Sequence, residues 1–549
     1  MAAVLFVSAF AFLLASFPAR NADVWAHLAG GRELTQGRAP TYAAATGERE
    51  FQPWLYDLAV YAMYSVVGGT GLVIVKAMLV AGLAVVLLRV GRTGPGWLIP
   101  VVCTVLAILA ISTRVPLRPV VASYFLLALT MWLLYAPRAA PVPTSAIRPP
   151  WPFLLIFIVW VNVDRWFVVG LAIVALAWLG QAADISRAKS ATDSGPFRSR
   201  FRVGQAGLRF LVTFAAVLAV CLINPVHVRA FGLPAEISWA AAAGQPSGPV
   251  ASPFQRAYFD GPGQTPVGLS YYALLGLGLV SFGLALPRWH WGRFLPWLGL
   301  AVLSALQMRA VPFFAIVGGP VLAWNLQDFF ARRSAASSAR PTPRWVVRAA
   351  WPGGLVLGLA FLAAAWTGWL QSPPFEPRRW ALEPPPSLQR AAEAARAWRA
   401  LGRLRPDTSG LHLSSDTAAA FAWFCPEIKA VHDPRLSAEL AGTPGAADSW
   451  ASALRVAGAS YVVVYDADRN RLVAALRRFL SDPRQWPLLH MEGDVAVFGW
   501  RDRDVAGPAD PLPGWEVDLD RLAFRPAPEK RAPAARPTQA ADARRWWEA

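Results

Sequence analysis

Eleven stretches of this chain are apolar over lengths close to those a helix needs to cross a bilayer, roughly 17–25 residues. They lie near 2–18, 69–88, 97–112, 119–136, 151–163, 166–180, 208–223, 269–286, 292–308, 310–326 and 350–370. The chain is 55% hydrophobic and only 16% charged, a combination rare in a soluble domain. The expectation is an α-helical polytopic membrane protein of about eleven spans, over residues 1–370. The fifth and sixth runs are short and separated only by "NVDR" (162–165), so they are two short spans or one broken helix. Residues 371–504 are richer in charge and lack long apolar runs, which predicts a small α/β domain in water.

The net charge of +18 would suggest nucleic acid in a soluble protein. Here the basic residues gather in short connections between spans: "RVGR" (89–92), 137–150, 186–202, "PRWHWGR" (287–293) and 331–348. With a cytoplasmic amino terminus, all five fall inside, as the Lys/Arg bias of cytoplasmic loops requires. Nucleic acid is therefore not an expected partner. No Lys or Arg precedes the first run, so a secretory signal is its alternative reading; either choice leaves Asp23 outside. Cysteine is sparse (Cys103, Cys221, Cys425) and offers no disulfide or metal framework.

This threading sorts the unusual polar residues to one side. Asp23, His27, Asp57, Arg114, Arg118, Asn162, Asp164, Arg165, His227, Arg229 and Arg309 all come to the outer face. Ionisable groups near bilayer depth are costly and mark pathways or sites. Asp23 and His27 are spaced i, i+4, one face of a helix. A carboxylate there can serve as a general base or hold a divalent cation, Mg²⁺ or Mn²⁺; the plain structural alternative is a helix cap beside a solvated imidazole. "PWLYDLAVYAMYSVVGG" (53–69) suits a helix lying in the interface. Lys76, inside the second span near its outer end, can reach a lipid phosphate or snorkel. Arg309 can do the same or anchor a helix end.

"DVWAHLAGGRELTQGRAP" and "PWLYDLAVYAMYSVVGGTGLVIVKAML" resemble the start of a bacterial family of multi-spanning GT-C-type glycosyltransferases. In order follow "LRPVVASYFLLAL" (117–129), "WVNVDRWFVVG" (160–170), "INPVHVRAF" (223–231), "RAVPFFA" (309–315), "VHDPRLSAE" (431–439) and "DVAVFGW" (494–500). The resemblance implies a GT-C fold and transfer of a sugar from a polyprenyl-phosphate donor outside the cytoplasmic membrane. It implies that Asp23 is the base or metal ligand, with His27 beside it. Lys76, Arg118, Asn162 and Arg309 become donor phosphate or sugar contacts; Arg114 and Asp164 are further substrate-binding candidates, and Asp57 joins Asp23 and His27 as a catalytic candidate. Two departures stand out. The family carries His-Glu just before the Trp-Leu of the interface helix, where this chain has Gln52 and Pro53. Its Asn-x-His-Gly-Gly reads here as "NVDRW", so Asp164, Arg165 and Trp166 replace a His and small residues. An inactive scaffold or lipid-binding protein of the cell envelope, meeting other envelope proteins, is the alternative. A transporter fits less well, because the charges cluster at one face and no inverted repeat is visible.

In the outer tail, "SLQRAAEAARAWRALGRL" reads as a helix. "GLHLSS" and "IKAVHD" read as strands around the helix "DTAAAFAWF", and "SYVVVYD" as a buried strand. "NRLVAALRRFLSD" reads as an amphipathic helix and "WPLLHMEGDVAVFGW" as a hairpin. "DAD" (466–468) sits between a strand and a helix, where Asp favours turns and caps. Asp433 and Arg435 in "HDPR" suit a pairing at a strand end. Residues 505–549, rich in Pro, Ala and Arg, are expected to be disordered.

Overall fold

The computed structural model describes residues 1–38, 53–112, 114–135, 151–190, 210–234, 252–336, 344–370, 378–405, 407–432, 454–466, 469–502 and 517. Gln52, Asp433, Arg435, Asp468 and, of the tail, residues 505–516 and 518–549 lie outside them. Contacts divide the chain into two units. Unit 1 is Met1–Ala19 with Phe51–Leu382; unit 2 is Arg20–Glu50 with Glu383–Ala549.

Unit 1 is helical: α1 (Ala2–Ala15), α3 (Trp54–Gly91), α4 (Leu98–Ser112), α5 (Pro119–Tyr135), α6 (Trp151–Val163), α7 (Phe167–Ser190), α8 (Phe210–Val220), α9 (Pro266–Leu284), α10 (Trp291–Leu306), α11 (Val311–Ala336) and α12 (Arg344–Thr367). Each lies on one of the eleven apolar runs. Four of them, α3, α7, α9 and α11, contain stretches long and apolar enough to cross a membrane; the other seven apolar segments are 10–17 residues. A helix of 14 residues rises only about 21 Å against a hydrocarbon core of about 30 Å. Run length thus located the helices, while eleven complete spans is a finer statement than these lengths carry.

Two local features follow directly from residues. Gly68 adopts φ +65°, which breaks α3 into an amino-terminal segment and a following span at the boundary the sequence suggested. At 164–166 the helix also ends, so α6 and α7 are separate helices rather than one broken span. The core of unit 1 is aliphatic and aromatic, with Phe10, Tyr124, Phe157, Trp160, Phe167 and Phe314 almost fully enclosed. Asp184 accepts hydrogen bonds from the Trp291 and Gly292 amides at 2.8 and 3.0 Å, capping α10 with a carboxylate where the helix dipole favours one. Arg293 pairs with Asp328 at 2.6 Å.

Unit 2 contains α2 (Asp23–Thr35), α13 (Pro386–Ala400), α14 (Ser415–Phe424) and α15 (Arg469–Leu480). Its five strands are β1 (Ser409–His412), β2 (Lys429–His432), β3 (Ala459–Tyr465), β4 (Leu488–Glu492) and β5 (Val495–Gly499), in sheet order β2-β1-β3-β5-β4. β1 runs parallel to β2 and β3, whereas β5 is antiparallel to β3 and β4. Every element expected between 387 and 500 is present. Gly410 is required in β1: a Cβ there would lie 2.4–2.5 Å from the Tyr461 ring and hydroxyl. The three cysteines are free and buried.

Within unit 2, α2 presents an apolar face to α14. Val24, Trp25, Leu28 and Ala29 are buried. The Trp25 ring lies 4.9 Å from Phe424 and 6.3 Å from Trp423. Arg32 donates to Ala422 O at 2.8 Å and Trp423 O at 3.2 Å, satisfying the open carbonyl end of α14, and its guanidinium sits 4.8 Å over Trp423.

Candidate functional site

In unit 2, Asp23 opens α2 and His27 follows one turn later, so the two share a face as their spacing predicted. Both are half-buried. The face that carries Trp25 and Leu28 is spent on packing, which leaves Asp23 and His27 on a helix held in place by its neighbours. Arg32→Ala removes two hydrogen bonds and a cation–π contact from that docking. The expected loss is about 1–2 kcal/mol, seen as roughly 5–30-fold faster amide hydrogen exchange across α2. Unchanged exchange would show that the apolar contacts alone hold the helix.

In unit 1, chain-distant cations converge. Arg114, in the turn after α4, lies within electrostatic reach of Arg309, in the turn before α11, and of Arg118. Tyr124 of α5 and Tyr258, from the one-turn helix Arg256–Phe259, lie within electrostatic reach of the same guanidinium. Arg118 and Arg309 are exposed and Arg114 is half-buried. Like charges so arranged repel, and a multiply charged anion relieves the repulsion while accepting several charge-assisted hydrogen bonds. Tyr124 and Tyr258 escaped sequence reasoning, since neither is a charged group in an apolar run.

Lys76 is 7% exposed in the spanning part of α3, about 12 Å along the helix from the Gly68 break. Among the described residues no ion pair involves it. A buried ammonium is costly to hold at bilayer depth. Asp57, in the first turn of α3, is fully buried.

Asn162 and Asp164 sit at the α6–α7 junction, and both are bound into the protein. Asn162 accepts from the Trp54 indole at 2.7 Å and donates to Ile158 O at 2.8 Å and Ile223 O at 2.9 Å. It ties the amino-terminal segment of α3 to α6 and to the start of "INPVHVRAF". Asp164 accepts from Ser123 at 2.6 Å, and the Ser123 hydroxyl in turn accepts from the Trp160 indole at 2.7 Å. Trp166 stacks on Phe313, with ring centroids 4.5 Å apart. His227 is exposed in "INPVHVRAF" at φ +47°, and its Nδ1 lies 3.1 Å from Leu222 O.

A divalent cation was expected to use Asp23. Among the described residues, no three His, Cys, Asp or Glu side chains come together as a ligand set.

No family model matches the sequence and no curated protein matches it. Solved structures do match. An archaeal oligosaccharyltransferase, AglB from Archaeoglobus fulgidus, in complex with an inhibitory peptide and a dolichol-phosphate, aligns over 92% of this chain and 74% of its own, with TM-score 0.56 and 12% identity. The Archaeoglobus fulgidus enzyme tethered to an acceptor peptide containing the NVT sequon aligns over the same shares, with TM-score 0.56 and 11% identity. ArnT from Cupriavidus metallidurans in the apo state aligns over 92% of this chain and 98% of its own, with TM-score 0.45 and 13% identity. With apolar helices followed by a small sheet domain, and with an oligosaccharyltransferase superposing on nearly the whole chain, this protein has the fold of the GT-C-like glycosyltransferases.

Proposed function

We propose that this chain is a glycosyltransferase that moves a sugar from a polyprenyl-phosphate donor to an acceptor at the outer face of a bacterial cytoplasmic membrane. The observation that carries the reading is the convergence of Arg114, Arg118 and Arg309, three cations from segments far apart in sequence. The dolichol-phosphate held by the similarly folded AglB supports it. In this reading the arginines and Lys76 bind the donor phosphate. The base that takes the proton from the acceptor hydroxyl, whose oxygen attacks the anomeric carbon, is a carboxylate for which the sequence resemblance names Asp23. The bond from that carbon to the phosphate oxygen breaks, and the phosphate leaves with the electron pair, its charge met by the guanidinium groups. Asn162 and Asp164 position the surrounding helices and line the sugar site; Asp57 supports the amino-terminal segment of α3. The Lys/Arg bias of the loops sets the orientation, with the amino terminus cytoplasmic and unit 2 outside.

Purified full-length protein with radiolabelled polyprenyl-phosphate sugars tests the reading. Arg309→Gln and Arg114→Gln should each raise the donor KM about 10-fold or more, as expected for losing one charge-assisted contact. Wild type without turnover on any donor would overturn the assignment. One observation favours a second reading, a non-catalytic scaffold that binds such lipids: Gln52 and Pro53 stand where the resembled family has His-Glu, and Pro53 caps α3 here. Donor binding without turnover is its signature.

A further inference from the structure

A cleft of about 680 Å³ is lined by Met1, Val4, Arg89, Arg92, Thr93, Gly94 and Trp97. It lies where α1 begins, α3 ends and α4 starts. Arg114 follows the far end of α4, so this cleft and the arginine cluster are separated by the length of that helix, about 22 Å. The two sites therefore belong to different ends of the helical unit.

The loop that builds the cleft is locked from α11. Gln327 accepts from the Thr93 and Gly94 amides at 3.2 and 3.1 Å and donates to Gly91 O at 2.6 Å. Trp324 donates to Val90 O at 2.7 Å. Arg92 folds over Trp97, 3.9 Å from the ring centroid, and bonds Gly94 O at 3.1 Å. Among the described residues no carboxylate pairs with Arg89 or Arg92. Two guanidinium groups thus line a preformed cleft with no protein anion to answer them.

The surroundings say what kind of anion fits. Leu98 and Val102, i and i+4 on one face of α4, are 77% and 50% exposed, and Leu5 of α1 is 61% exposed. A cationic head cleft continues into an exposed apolar helix face. We propose that this cleft binds an anionic phospholipid: its phosphodiester meets Arg89, Arg92 and the Thr93 hydroxyl, and its acyl chain runs along Leu98 and Val102. Basic clefts between helix ends recognise such headgroups by this combination of charge and adjacent hydrocarbon.

The full chain in neutral detergent is titrated with phosphatidylglycerol or phosphatidylcholine, and bound lipid is counted by native mass spectrometry. One phosphatidylglycerol adduct should survive conditions that strip phosphatidylcholine. Arg89→Gln combined with Arg92→Gln should cut its occupancy constant about 10–30-fold, at about 1 kcal/mol for each charge. Arg333→Gln, in a different basic connection, should leave it intact. Excess inorganic phosphate should not displace the adduct; displacement would identify a soluble phosphate site and overturn the lipid assignment. Retention in the double variant would also overturn it. Should the double variant fail to fold, wild type decides: equal binding of the two lipids sinks the proposal, and a phosphatidylglycerol preference that weakens with salt sustains it.

Discussion

Asp23→Asn is expected to lower turnover about 10²–10⁴-fold while leaving the donor KM within a few-fold of wild type. Asparagine matches the carboxylate in shape but cannot take the acceptor proton. The fold should survive the change. Asp23 opens α2, so losing its charge forfeits about 0.3–1 kcal/mol of helix-dipole stabilisation, whereas α2 is held by Trp25, Leu28 and Arg32. Initial rates with a radiolabelled donor across a pH series decide it. Wild-type turnover from the Asn variant would remove Asp23 from the chemistry. Loss of activity together with faster exchange across α2 would make its role structural.

The second large effect is acid lability of unit 2, and its source is His412. This imidazole is fully buried in β1, packed 4.6 Å from Phe421 and 6.5 Å from Tyr461, and among the described residues neither ring nitrogen has a hydrogen-bond partner. Burial pushes it from the ordinary 6.5 down to about 3, and the neighbouring His432 adds to the shift. His432 holds its own ring against His412 O at 2.8 Å. Titratable groups beside this core include Tyr461, raised well above 10 by burial, and Cys425, raised to about 12, with Glu427, Arg396 and Arg399 within electrostatic reach of Cys425. Because the folded value lies below the unfolded one, the unfolded chain binds the proton first. Stability contributed by neutral His412 is complete above about pH 6.5 and is lost as pH falls toward 3. From pH 7 to pH 4.5 the loss is about 2.5 kcal/mol, roughly 75-fold in the open population of the sheet.

Hydrogen exchange of the β1 and β3 amides in the full chain measures that change. His412→Leu keeps a similar volume against Phe421 and removes both orphaned nitrogens. It should equal or exceed wild-type stability at neutral pH by about 1–2 kcal/mol and flatten the acid response. An acid response as steep as wild type in the Leu variant would place the lability elsewhere.

The resemblance to GT-C enzymes in the sequence rested on short motifs in order, and the fold supports it without reaching the chemistry. What made the helices legible was local. An apolar run of 15–20 residues satisfies its own backbone only as a helix, so α3, α9 and α11 could be located by counting. The Gly68 break was equally visible, because a glycine pair follows an aromatic stretch. In the tail, alternation between β-branched runs and Ala/Arg-rich stretches marked β3, α13 and α15 in advance.

The site was legible only in part. The charges of Arg114, Arg118 and Arg309 stood out against apolar surroundings, and Lys76 did so for the same reason. That Arg114 comes within electrostatic reach of Arg309 and Tyr258 was not, because the segments that carry them are brought together by packing, and packing partners leave no spacing to read. The same limit hid the commitments of Asn162 to Trp54 and of Asp164 to Ser123.

Sequence alone determined that unit 1 is built from apolar helices with basic connections, and that a carboxylate and an imidazole share one face of α2. Both are properties of neighbours along the chain, set by hydropathy and by the 3.6-residue turn. Only the tertiary structure decided that α2 packs with the sheet domain. The buried face of Trp25 and the carbonyl end that Arg32 caps are choices among distant partners, made by surface complementarity that no local pattern encodes.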